Sequence, residues 1–479
     1  DRIHRPARTD PNDRQSEALN EGFSFVKRNM KTAWKKTANS TVNTASGYKD
    51  ALVSVLGSPI TASSTDEQFA AAVLALGSND STEVQNFANK FTAYALTNSL
   101  AATATSGKIA EENQKSYTFN NKLAAGYYLV YVTGGKEIQS SLVTVDADTN
   151  TVILKTEAPS ITKTADKETA EIGQVVTYTV TGAIPDTTGY SEYVYKIHDT
   201  LSAGLDFVND AAGTACEGNS VKVTVAFTGA TDASTAPTTA TLDTANNRKM
   251  SLDLSAWVKA NQTNKGKEFT VTYYAKVNKD AVVTNNNKAS LEYGNNPGDT
   301  TTTTPSEAKT NTYPLDIKKI NKTTKGLLAG AKFSLYRSEA DAKSGKNAIT
   351  VTGSNGNYVV DPASSTTEFE SVENDLGGYN LRVNGLEAKE YWLVETKAPE
   401  GFNKLTDPIK VTITKTGDAE WTVQKNDEPE TDKIIDVENS TGSLLPSTGG
   451  RGAIAFAVIA ALLVFGVAVS FIRDKRKEA

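Results

Sequence analysis

A lysine, a carboxylic acid and an asparagine occur twice in this chain in the same order, each at the end of an apolar stripe. In YPLDIKKI (313–320), strand alternation puts Leu315, Ile317 and Lys319 on one face and Asp316 and Lys318 on the other. Lys318 is the ordinary solvent lysine, whereas Lys319 is in phase with the apolar side. Further on, Tyr391, Leu393 and Glu395 share a face, and so do Ile435, Val437 and Asn439. An earlier stretch repeats the set. Ile161 and Lys163 are in phase, then Tyr193, Tyr195, Ile197 and Asp199, then Asn287, Ala289, Leu291 and Tyr293. The lysine-to-asparagine separations are 120 residues in the later set and 124 in the earlier one.

Buried together, such a trio has a specific chemistry. Burial disfavours charge, so it lowers the pKa of an amine and raises that of a carboxylic acid. A neutral lysine amine is a nucleophile. A protonated acid can hydrogen-bond the asparagine carbonyl, polarise it and shuttle protons. Attack on the side-chain amide expels ammonia and leaves a Lys–Asn isopeptide bond. This happens once per molecule, so it does not make the protein an enzyme. In the chain-entropy model, closing a loop of about 100 residues contributes about 4–5 kcal/mol. Phase by itself leaves a plainer reading open: six polar residues that are exposed or hydrogen-bonded in ordinary ways.

The elements that must position these residues are mostly strands. Apolar content is 38% of 479 residues, and Thr and Val are frequent, which favours strands. The length suits about three domains. Residues 45–155 mix helical stretches (DEQFAAAVLAL, EVQNFANKFTAYAL) with strands (YYLVYVTG, SLVTVDA). Residues 156–310 and 311–441 are strand-rich, with Asn287 and Asn439 on the last strand of each. The run Thr300–Thr304, followed by Pro305, reads as an exposed connector. The expected fold is all-β: three tandem Ig-like β-sandwiches, the first with some helix, plus a C-terminal transmembrane helix.

Several classes of function lack material. The net charge is −6, with no clustered basic face for nucleic acid. One cysteine, Cys216, and two distant histidines, His4 and His198, give little basis for a disulfide, a metal site or a Ser-His-Asp triad. No cofactor is expected. The segment 442–479 is more informative. Residues 452–472 run 21 positions without a charge, long enough to span a bilayer, and Arg473, Lys475, Arg476 and Lys477 follow. That order places the tail in the cytoplasm and everything before the span outside. Residues 1–44 are polar and basic without a visible secretory signal, and read as a processed, incomplete or aberrant start.

The stretches LLAGAKFSLY and YWLVETKAPEGF resemble the signature strands of Cna protein B-type domains. The second is similar to the E-box of Gram-positive pilins, through Tyr391, Leu393, Glu395, Thr396, Ala398, Pro399, Gly401 and Phe402. EIGQVVTYTVTGAIPD and NKASLEYGNNP resemble the A-type middle domain of the same proteins. Leu445, Pro446, Ser447, Thr448 and Gly449 form an LPSTG segment which, with the apolar span and basic tail, resembles a sortase sorting signal. Residues 50–479 thus resemble a sortase-assembled backbone (major) pilin.

The resemblance implies isopeptide trios Lys163–Asn287 with Asp199, and Lys319–Asn439 with Glu395. It implies that a sortase cuts between Thr448 and Gly449 and that a lysine of another subunit takes the acyl group. Lys155, in NTVILKTEAPSITK, stands about where the family places that lysine, although Ile153-Leu154 replaces the family's Tyr-Pro; Lys167 and Lys136 are alternatives. LAAGYYLVYV (123–132) aligns with LEAKEYWLVET and puts Tyr131 where Glu395 stands, so no E-box bond is expected in the first domain. The implied partners are identical subunits joined head to tail, a class C-type pilin sortase and a housekeeping sortase, peptidoglycan, and host matrix or glycans. The implied location is the cell wall, with a transiently membrane-anchored precursor. A wall-anchored adhesin or accessory pilin shares every feature except the acceptor lysine.

Overall fold

Alternation of Val, Ile, Tyr and Phe with Thr, Lys and Glu builds sheets whose inner faces are apolar. The computed structural model describes residues 19–26, 47–77, 81–102, 105, 126–132, 139–145, 158–188, 190–295 and 297–442. Lys136, Lys155, the LPSTG segment and the apolar span 452–472 lie outside the described residues. Among those described, no helix is long and apolar enough to cross a membrane. The chain divides into two compact units, Asp1–Thr312 and Tyr313–Ala479.

Three helices, Tyr48–Leu56, Asp66–Leu74 and Thr82–Thr97, lie in the N-terminal part of the first unit. The second starts at a capping box, in which the Thr65 hydroxyl accepts from the Gln68 N–H and the Gln68 side chain accepts from the Thr65 N–H. Phe69, Phe87, Phe91 and Leu129 are buried together in one core with Tyr131. The strands Gly126–Val132 and Gln139–Val145 pair antiparallel. Leu19–Val26, where the sequence suggested no structure, pairs along the other edge of Gly126–Val132.

The rest of this unit is two sheets around one core. One sheet runs Thr301–Thr302, Asn285–Gly294, Val194–Leu201, Lys249–Asp253, Thr239–Leu242, Ser220–Lys222, with Ser306–Thr310 also on Asn285–Gly294. The other runs Thr162–Ala165, Val175–Ala183, Glu268–Val277, Leu205–Val208, with Thr224–Phe227 also on Glu268–Val277. Two expectations are corrected here. The threonine run is not only a connector: Thr301–Thr302 pairs with Glu292–Tyr293. Asn287 is not on the last strand, because Ser306–Thr310 follows and pairs with Asn285–Ala289. β-Branched threonines suit a strand as well as a loop, and repetition alone does not separate the two.

The second unit holds a five-stranded sheet, ordered Val351–Ser354, Asn357–Val360, Leu381–Leu386, Tyr313–Asn321, Ile434–Asn439. Its six-stranded sheet runs Phe369–Glu370, Lys332–Tyr336, Glu390–Lys397, Ile409–Lys415, Trp421–Lys425, Glu428–Glu430. Tyr313–Asn321 and Ile434–Asn439 are parallel neighbours, with Lys319 opposite Val437.

Candidate functional site: two buried lysine–acid–asparagine clusters

All six residues are buried: Lys163, Asp199 and Asn287 in the first unit, and Lys319, Glu395 and Asn439 in the second. Alternation delivers each one inward at the end of its apolar stripe. An ammonium or a carboxylate in such a place needs a partner.

In the second unit the partner of Lys319 is Glu395, with Nζ to Oε1 at 3.3 Å and both side chains fully buried. The amine also donates to the Val437 carbonyl at 3.2 Å. The other carboxyl oxygen, Oε2, accepts from the Asn439 amide Nδ2 at 2.9 Å and from the Leu405 N–H at 2.7 Å. Asn439 Nδ2 donates as well to the Asn403 carbonyl, while its Oδ1 has no hydrogen bond. One carboxyl therefore spans the amine and the amide nitrogen. It touches the amide nitrogen rather than the carbonyl oxygen that the sequence reading assigned to it. Burial brings the Lys319 ammonium down to about 8, against the pull of Glu395.

Local structure explains how Lys319 is held. Pairing of its strand with Leu381–Leu386 stops at Ile317 opposite Leu381. From there a side chain replaces the ladder. Asn380 Oδ1 accepts from the Lys319 N–H at 2.7 Å. Asn380 Nδ2 donates to the carbonyls of Leu328 at 3.0 Å and Val372 at 2.8 Å.

The first unit solves the same problem with a different layout. Lys163 Nζ donates to Asp199 Oδ2 and to the Tyr273 hydroxyl, and Tyr273 in turn donates to Asp199 Oδ2. The amine lies over the rings of Tyr178 and Tyr273, 4.9 and 4.7 Å from their centroids. Burial lowers Lys163 to about 8, and burial raises Asp199 above the usual carboxylate range against the pull of Lys163. Asn287 lies close enough to Asp199 and Tyr273 to favour their charged forms. Neither of its polar atoms makes a hydrogen bond of good geometry.

The two clusters differ in sheet membership. Asp199 and Asn287 sit on neighbouring strands of one sheet, and Lys163 reaches them from the other. Lys319 and Asn439 sit on neighbouring strands of one sheet, and Glu395 comes from the other. Sequence reasoning missed Tyr273, Asn380, and the Asn403 and Leu405 backbone groups. Tyr273 could have been found as a hydroxyl-bearing aromatic in core phase, since a buried phenol needs a partner; nothing in the sequence marks the others.

Tyr131 is buried in the helix-backed core, and burial pushes its hydroxyl up to about 12. It offers no carboxyl there. The Lys167 ammonium, an alternative acceptor, donates to the Val175 carbonyl.

Residues 314–428 match the family model described as SpaA, a prealbumin-like fold domain. A relative, fimbrial subunit type 1 of Actinomyces viscosus, is 31% identical over 161 residues, which are 31% of this chain and 28% of that protein. The chain thus aligns with under a third of the length of the curated relative it matches. Among solved structures, the T6 backbone pilin of serotype M6 Streptococcus pyogenes is similar at 16% identity and a TM-score of 0.42, covering 90% of this chain and 96% of that one. The major pilin SpaA of Corynebacterium diphtheriae is similar at 20% identity and a TM-score of 0.42, covering 71% and 85%.

Proposed function

We propose that this chain is the shaft subunit of a covalent surface pilus, braced by an internal Lys–Asn isopeptide bond in each of its two strand-rich domains. The observation that carries the internal bonds is the Glu395 carboxyl, 3.3 Å from the Lys319 amine through one oxygen and 2.9 Å from the Asn439 amide nitrogen through the other. In the reaction, neutral Lys319 Nζ attacks Cγ of Asn439. The carboxyl takes a proton from the attacking nitrogen and delivers it to Nδ2. The Cγ–Nδ2 bond breaks, ammonia leaves, and the new amide is Nζ–Cγ. Asp199 has the same role between Lys163 and Asn287. Burial of the amine is what makes it nucleophilic near neutral pH.

The pilus part of the reading is supported by the SpaA-type match over 314–428, the fimbrial relative and the LPSTG segment with its apolar span and basic tail. In it, a sortase cleaves after Thr448 and passes the acyl group to Lys155 of the next subunit. The last subunit goes to peptidoglycan, and the fibre supports adhesion to host surfaces. The chain acts as a sortase substrate, not as an enzyme.

Two measurements test the two parts. The intact mass of the folded ectodomain should fall short of the sequence mass by two ammonia losses, about 17 Da each from the stoichiometry of amide formation. No loss ends the isopeptide reading. Cells expressing the chain should give a ladder of SDS-resistant polymers that vanishes with Lys155→Ala. A single wall-anchored band in the wild type would instead mark an adhesin or accessory subunit.

A further inference from the structure

The two clusters differ in what surrounds the acid. In the second unit Glu395 is held by a backbone N–H and by the asparagine amide. In the first unit no backbone N–H among the described residues donates to the Asp199 carboxyl; its Oδ2 is held by the Tyr273 hydroxyl and the Lys163 amine. That hydroxyl also contacts the amine itself. Tyr273 is fully buried in mid-strand, with its ring stacked on Tyr178 at 5.9 Å between centroids. Such packing leaves the ring little freedom, so its hydroxyl is a fixed point between nucleophile and acid. The Asn287 amide lies beside it with an Oδ1 that has no hydrogen bond.

We propose that Tyr273 is a catalytic residue of the Lys163–Asn287 reaction, aligning amine with acid and then donating to the oxygen that becomes negative on Asn287. Before attack, the phenol accepts from Lys163 and donates to Asp199. Nζ then bonds to Cγ and the C=O π pair moves onto Oδ1. Asp199 takes the proton released by Nζ, so it no longer needs the phenol as a donor. The O–H turns to the oxyanion that forms on the neighbouring Asn287 amide. A preorganised donor in a buried site stabilises such charge strongly. When the carbonyl re-forms, Asp199 gives the proton to Nδ2, ammonia leaves and Tyr273 returns to its first partner. The phenol keeps its own proton throughout, in line with burial and the neighbouring Asp199, which push it well above its ordinary pKa. Among the described residues of the second unit no tyrosine hydroxyl bonds Lys319 or Glu395, so that cluster provides an internal control.

This inference rests on the isopeptide reading, and the test separates the two. Chain recovered unfolded is refolded, and ammonia losses are followed by intact mass, with peptide mapping to place each bond. The wild type should form both bonds. Tyr273→Phe keeps the ring and should form the Lys319–Asn439 bond at the normal rate while the Lys163–Asn287 bond slows at least 100-fold. Tyr195→Phe, which loses a buried hydroxyl that donates to the Ala183 carbonyl and not to the cluster, should form both bonds normally. The Tyr273→Phe deficit should persist at pH 9, where the amine is mostly neutral without help. Protease resistance of the middle domain of Tyr273→Phe, matched to unreactive Asn287→Ala, excludes misfolding as the cause; a protease-sensitive Tyr273→Phe domain would assign the hydroxyl to folding and overturn the proposal. Wild-type speed in Tyr273→Phe, or full recovery at pH 9, would also overturn it. A wild type with no mass loss would instead sink the parent reading.

Discussion

At the scale of single residues, the proposed isopeptide chemistry depends on an amine that is neutral often enough to attack. Burial places Lys319 at about 8, below the usual value of about 10.4. The rate of bond formation on refolding should therefore rise with pH up to about 8 and level off beyond it. A rate that keeps climbing in proportion to hydroxide through pH 10 would mean an amine with an ordinary pKa. The same shift acts on stability when the bond cannot form. In Asn439→Ala the native state releases the Lys319 proton near pH 8, while the unfolded chain keeps it to about 10.4. Between those values the unfolded state binds more protons, so unfolding free energy rises with pH. That contribution is complete above about 10.4 and is lost as pH falls through 8. Glu395→Ala should leave a single ammonia loss, because Asp199 still serves the other site. That all six residues face inward was legible because alternation is a property of the strand backbone; phase left a plainer polar reading open, and the resemblance to pilin domains is what singled the six out as two trios. Tyr273 was not legible, because an aromatic in core phase reads as packing until its hydroxyl is located.

At the scale of elements, the sequence told inward from outward but not which sheet an inward residue belongs to. Asp199 shares a sheet with Asn287, whereas Lys319 shares one with Asn439. Both layouts have the same phase pattern, and only long-range pairing separates them. The helices at 66–74 and 82–97 were legible because their apolar spacing and caps are local. The Asn380 bridge was not, because it depends on where the ladder between two distant strands stops. That bridge yields a stability prediction. Asn380 is fully buried and joins the backbone beside Lys319 to two further segments. Asn380→Ala strands several buried backbone groups, each costing about 1–3 kcal/mol unless water enters. In an Asn439→Ala background, where no bond masks the effect, it should lower the unfolding free energy of the second unit by about 3 kcal/mol or more in a urea titration. A change under about 0.5 kcal/mol would mean that the strand is held by its neighbours alone.

At the scale of the whole molecule, the proposed linkages define a path for force. On that proposal tension in a fibre would enter at Lys155 and leave at Thr448, and residues 1–154 would carry none of it. Along the path, a bond from Lys163 to Asn287 removes the chain between them from the load, and one from Lys319 to Asn439 does the same. Between the two bonded loops the chain left on the load path is unequal: 25 residues from Lys288 to Thr312, but only six from Tyr313 to Lys318. The longer piece is fastened at its far end. Thr310 Oγ1 donates to the Lys167 carbonyl and Thr312 Oγ1 to the Ala170 carbonyl, each at 3.0 Å. The Asn311 N–H donates to the Glu168 carbonyl at 2.8 Å, and its own carbonyl accepts from the Ala170 N–H at 3.0 Å. Thr169 and Asn311 are bridged in parallel, so pulling the two ends of the domain loads these bonds together rather than one by one. Stretching a single molecule should then give one step of about 80–90 Å from 25 residues at about 3.3–3.6 Å each. Lys163→Ala should replace it with a step of about 500 Å, as the roughly 155 residues of the middle domain unravel at about 3.3 Å each. A wild-type step of that larger size would show that the covalent tie is missing. No step at all at forces that extend Lys163→Ala would show that the segment from Lys288 to Thr312 is secured by something stronger than these hydrogen bonds.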